Sequence, residues 1–130
     1  MNTIKSFKDL DAWKKAHLLR VSIIKLLINF PQNYQFGLCA QLQRSSISVG
    51  SNIAEGFGRS SAKEKLNFLN YAKGSIVEVQ DQLIVCVDLG LISKPEFAKL
   101  SELSIDVHKL INGMMRRLRE TSVEKRDTNE

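Results

Sequence analysis

No stretch of this sequence approaches the ~20 uninterrupted apolar residues of a transmembrane helix, and its start lacks the basic and apolar regions of a secretion signal. A soluble cytoplasmic protein is expected. Cysteine is scarce. Cys39 and Cys86 lack metal-ligand spacing, and a turn near Ser60 between antiparallel neighbours sets them at different heights, so buried free thiols are expected rather than a disulfide. The two histidines, His17 and His108, lie in different helical patterns, and neither belongs to the Glu-x-x-His pair of di-iron bundles. Gly50, Gly56 and Gly58 do not follow a strand, and the lysine and Ser/Thr pair of a phosphate-binding loop is missing. No histidine base is placed by sequence near the serines of the second helix, about Gly37 to Phe57. The residues thus supply no catalytic group, metal site or cofactor site, and an enzyme is the weaker class. Strand-period alternation, internal repeats and linkers are also missing, so residues 1–130 read as one all-α domain.

The composition that remains, 43% hydrophobic and 25% charged, is that of an ordinary globular chain. The first helical pattern is capped by Ser6 or Asp9 and runs to Phe30, where Pro31 stops it. The second spans about Gly37 to Phe57 after the turn PQNYQF. The third opens on Ser61 and Glu64 in capping-box spacing, carries Leu69, Ala72, Ile76, Val79, Leu83 and Cys86 on one seam, and ends at Gly90. The fourth opens on Ser93 and Glu96 and carries Phe97, Leu100, Ser104, Val107, Ile111, Met114 and Leu118. The last ten residues, TSVEKRDTNE, show no periodicity and are expected to fray, leaving an ordered core of about 7–120. Long helices joined by short turns imply an up-and-down antiparallel four-helix bundle.

The first and second helices carry more than one face. In the first, Leu10, Trp13, His17, Val21, Ile24 and Ile28 form one stripe, and Leu19, Ile23, Leu26 and Phe30 a second, interrupted by Arg20. A surface helix needs an apolar stripe of only about 100°. The second stripe is therefore read as a homo-oligomer interface, with a deeper position inside the chain as the alternative. Arg44–Arg59 combines a core face at Leu42, Val49, Ile53 and Phe57 with a small-residue ridge at Ser46, Gly50, Ala54 and Gly58. Such a ridge lets a neighbouring helix approach closer than the usual 8–10 Å, roughly, between axes. A polar line, Arg44, Ser48, Asn52, Glu55 and Arg59, is either a set of inter-helix hydrogen bonds or a recognition surface.

The net charge is +5. Met1–Val77 has eleven Lys/Arg against four Asp/Glu, whereas Glu78–Glu130 has eight against ten. This asymmetry suits either a polyanion-facing side or head-to-tail assembly. Candidate nucleic-acid contacts are Arg44 and Arg59, which bracket the second helix, Lys63 and Lys65 at the start of the third, and Arg116, Arg117 and Arg119 late in the fourth. Such cations hold phosphate without reading sequence. The last three also suit a helix C-terminus, where positive charge is favoured. Two functions stay open: an oligomeric module engaging RNA or a ribonucleoprotein, and an adaptor oligomer binding a protein partner without nucleic-acid affinity.

Phe7-Lys-Asp-Leu-Asp-Ala-Trp13, Phe30-Pro31, Ser48-Val-Gly-Ser-Asn-Ile-Ala-Glu-Gly56 and Gly74-Ser-Ile-Val-Glu78 together resemble the bacterial proteins encoded in intervening sequences of 23S ribosomal RNA genes. The resemblance covers Phe7 to about Arg119. It implies a four-helix bundle assembling as a ring-shaped homo-oligomer, a pentamer, with fold relatives among the accessory proteins of diversity-generating retroelements, which engage a reverse transcriptase and nucleic acid through a basic surface. Asn52, Glu55, Gly56, Gly74, Ser75 and Glu78 are the signature positions, as a structural network or as recognition residues. Gly50 stands where the family usually has proline; glycine loosens a helix where proline would kink it.

Overall fold

The computed structural model describes residues 3–129, with side chains through Ser122. Its α-helices are α1 (Asp11–Leu27), α2 (Ala40–Phe57), α3 (Ala62–Asp88) and α4 (Lys94–Asn129), and no strand occurs among the described residues. Short side-chain bonds explain where each one starts and stops. Ser6 Oγ accepts the Lys8 N–H at 3.2 Å and Asp9 Oδ2 accepts the Ser6 N–H at 3.0 Å, but this box caps a 3-10 turn, Phe7–Asp9, rather than α1. The first α-helix begins two residues later, after the extended Leu10. It also ends before Phe30. There Gln35 Nε2 donates to the Leu27 carbonyl at 3.1 Å and the Phe30 carbonyl at 2.9 Å, satisfying acceptors that a helix end leaves bare. A 3-10 turn (Gln32–Tyr34) and a π-helical turn (Gln35–Cys39) lead into α2.

Ser61 Oγ accepts the Glu64 N–H at 3.1 Å to start α3. Its far end closes through Gly90, at φ 73°, with Leu91 N–H bonded to the Cys86 carbonyl at 2.9 Å and Gly90 N–H to the Val87 carbonyl at 3.0 Å. That pair of bonds requires a left-handed residue, which glycine adopts without a Cβ clash. Both arms of the Ser93–Glu96 box form, at 2.9 and 3.1 Å. The helix they open continues to Asn129, past the point where fraying was expected after Glu120. Apolar periodicity reports which side chains can pack, whereas the helix backbone propagates by one hydrogen bond per added residue.

Each helix packs on its neighbours in sequence, and α1 closes the bundle against α4. Lys15 reaches Asp106 at 3.4 Å across that last seam. The core corrects the reading of the first helix. Leu19, Ile23 and Phe30 are buried within the chain and Leu26 packs against them, so this stripe is not available to a second protomer. Ala12 and Ala16 extend the same row, and their small side chains let neighbouring helices close over it. In the other stripe Leu10 and Trp13 pack against the core, whereas Ile28 is 74% exposed, His17 is exposed, and Val21 and Ile24 are half-buried.

Helix register corrects a second expectation. Ser48 and Ser75 bond at 2.9 Å and Ser45 Oγ donates to Gln82 Oε1 at 2.6 Å, fixing α2 against α3. Continued down both helices, this register brings Cys39 to the level of Cys86. Both are free and buried. Burial, reinforced by the nearby Cys39 thiol, pushes Cys86 up to about 11.

Candidate nucleic-acid interface

The up-and-down course puts the start of α1, the end of α2, the start of α3 and the second half of α4 at one end of the bundle. Arg59, Lys63, Lys65, Arg116, Arg117 and Arg119 are all carried there, although sixty residues separate the first from the last. Arg44 stands apart, near the Ser45–Gln82 bond in the other half. Two grooves open at the cationic end. One, of 460 Å³, is lined by Leu10, Phe57, Met114 and Leu118 with Lys65 and Arg117, and includes Asp9 and Asp11. The other, of 650 Å³, lies between α3 and α4 and is lined by Lys63, Leu66, Asn67, Asn70, Met115 and Arg119.

These cations do different work. Arg59 is held at 3.1 Å by Glu55, one turn back, and stacks 4.6 Å above the Phe68 ring. Lys65 Nζ donates to the Phe57 carbonyl at 2.9 Å and lies 3.4 Å from that of Gly56, so it caps the end of α2. Lys63, Arg116, Arg117 and Arg119 are exposed and make no ion pair among the described residues. Their long, hydrated side chains can adapt to phosphates at several spacings. They do not by themselves read bases.

The signature positions divide into an inner and an outer set. Asn52 Nδ2 donates to both the carbonyl and the hydroxyl of Ser48 at 2.9 Å, and Ser48 bonds Ser75, which ties α2 to α3. A Cβ at Gly56 would lie 3.3 Å from the Phe68 Cβ, so glycine there permits close helix approach. Glu55, Gly74 and Glu78 are exposed. Within the protomer Glu55 and Glu78 therefore stand outside the Asn52–Ser48–Ser75 network.

Arg20 is a residue whose role the sequence did not reveal. Trp13 and His17 stack with ring centroids 4.8 Å apart and planes inclined by 9°, and Arg20 Nε donates to His17 Nδ1 at 3.0 Å. Its guanidinium lies 5.6 Å from the Trp13 ring and donates from Nη1 to the Ile47 carbonyl at 3.1 Å. A Cβ at Gly50 would sit 2.6 Å from that Nη1. At this point the small-residue ridge admits a guanidinium, not merely a helix. Burial lowers the Arg20 pKa from its ordinary value. The available signal was a cation interrupting an apolar helix, with a glycine on the next one.

Among the described residues no group of three or more His, Cys, Asp or Glu is placed to hold a metal, and no helix is long and apolar enough to cross a membrane. No curated protein matches the chain. A solved structure from Bacteroides thetaiotaomicron VPI-5482, described as a protein with unknown function from the S23 ribosomal protein family, superposes with a TM-score of 0.73. The two share 24% identity over 80% of this chain and 97% of that one, a likeness that shows the fold. The family model for 23S rRNA-intervening sequence proteins matches residues 8–113, which include both the inner seam of α2 and α3 and the outer signature positions. The chain belongs to the 23S rRNA-intervening sequence protein family.

Proposed function

We propose that this protein is a non-enzymatic, homo-oligomeric binding module that engages RNA or a ribonucleoprotein through the cationic end of its bundle. The observation that carries this reading is the convergence of six separately encoded cations on one end, five of them free of ion pairs among the described residues, with Lys65 bonded only to backbone carbonyls. Bringing like charges together is unfavourable for an isolated domain, and a polyanion offsets that repulsion. The ring of five implied by the family resemblance would repeat this end around an axis.

Filter binding of structured RNA and duplex DNA across a salt series tests the reading. Affinity should fall linearly on logarithmic axes, and removing one phosphate-binding cation should reduce the slope by about 0.7–0.9. Lys63→Glu and Arg119→Glu should both weaken binding and flatten the slope, whereas Arg44→Glu should change little. Weak binding that ignores salt would exclude the nucleic-acid reading and leave the protein-binding adaptor.

A further inference from the structure

We infer that the outer face of α3 centred on Gly74 receives the outer face of α1 from a second copy of this chain, with Lys25 set against Glu78. This rests on the self-association in the reading above and says which surfaces meet. Gly74 is exposed in the middle of a helix, where glycine is unfavourable because it leaves more backbone freedom to lose. At Gly50 and Gly56 a close neighbour within the chain explains the missing side chain. At Gly74 a Cβ would meet nothing within 4 Å. Its reason therefore lies outside the protomer, and close approach by another backbone is what a surface glycine permits.

The surroundings fit one occupant. Beside Gly74, Tyr71 is 54% exposed and Val77 47%, with Ile84 and Val85 exposed further down. From Gly74 to the end of α3 come Glu78, Asp81 and Asp88 and no Lys or Arg, and the Glu78 side chain makes no ion pair among the described residues. The outer face of α1 is the counterpart: apolar at Leu18, Val21 and Ile28, basic at Lys14 and Lys25, with no acid between Trp13 and Leu27. Two half-apolar faces of opposite charge on one chain are complementary to each other.

Height along the bundle agrees. The Arg20–Ile47 and Ser48–Ser75 bonds set Arg20 near the level of Lys73 to Ser75. Since α1 and α3 run in the same direction on opposite corners of the bundle, Lys25 is near the level of Glu78, and Leu18 and Val21 near that of Tyr71 and Gly74. A copy displaced by rotation about an axis parallel to the bundle keeps those levels, so these residues meet without sliding. The contact is heterologous. Each copy retains one unmatched α1 and one unmatched α3, and assembly continues until the rotation closes.

The test is molar mass by light scattering or sedimentation at micromolar concentration. Gly74→Leu fills the face without touching the fold and should reduce the assembly to the 14.7 kDa protomer at unchanged helicity. Lys25→Glu and Glu78→Lys should each do the same, and the two combined in one chain should restore the original mass. A wild-type protein of 14.7 kDa would overturn self-association itself. An oligomer whose mass is untouched by Gly74→Leu and by both single reversals would keep self-association and overturn this face.

Discussion

Arg20 shows how one residue gives another its reason. Its guanidinium occupies the space over Gly50, stacks beside Trp13 and His17, and satisfies the Ile47 carbonyl. Gly50→Ala gains about 1 kcal/mol of helix propensity, but the new Cβ displaces the guanidinium, and hydrogen bonds to charged groups contribute about 1.5–3 kcal/mol when buried. Arg20 is only half-buried, so the lower part of that range applies and the single substitution should be close to neutral. In an Arg20→Ala background the same change should stabilise by about 1 kcal/mol, because nothing remains to displace. Urea unfolding of the four members of this cycle gives the coupling. Equal effects in both backgrounds would show that the guanidinium does not depend on the glycine.

At the scale of the element, α1 carries apolar residues around most of its circumference, and its burial is decided by its neighbours. Leu19 and Ile23 are each 1% exposed, whereas Leu18, adjacent to Leu19, is 57% exposed. Ile23→Glu should therefore unfold the bundle or lower its stability by roughly 3–5 kcal/mol, since a core side chain is removed and an unpaired charge is buried. Thermal melts followed by circular dichroism measure this directly. A folded variant of near-wild-type stability would return Ile23 to the surface and revive its reading as an interface residue. The ends of the elements were more legible than their faces. Ser61, Gly90 and the Ser93–Glu96 box act through bonds spanning a few residues, so local sequence contains both partners. The continuation of α4 was not legible because apolar periodicity reports packing, not backbone hydrogen bonding.

For the whole molecule, the proposed assembly and the proposed polyanion binding would be linked. Copies assembled with a common bundle direction would present their cationic ends on one side, and a polyanion spanning several protomers would gain affinity through effective concentration. Gly74→Leu, which removes no cation, should then weaken binding to long RNA and flatten its salt dependence, while leaving binding to oligonucleotides short enough for one protomer unchanged. Filter binding with long and short RNA of the same sequence separates the two. Equal weakening on both lengths would mean that the substitution disturbs the cationic end itself.

The all-α class, the number and order of the helices, most of their caps and the identity of the cations were legible in the amino-acid sequence, because these depend on periodicity and on bonds between near neighbours. It also contained the signature residues, but not their division into the Asn52–Ser48–Ser75 seam and the exposed Glu55, Gly74 and Glu78. Tertiary packing settled which stripe of α1 is core, that Cys39 and Cys86 share a level, and that cations from α3, α4 and the turn between α2 and α3 meet at one end. Each of these depends on the rotation or register of one helix against another. Those two variables are fixed by side-chain packing across the bundle and by bonds such as Ser45–Gln82, between residues far apart in the chain.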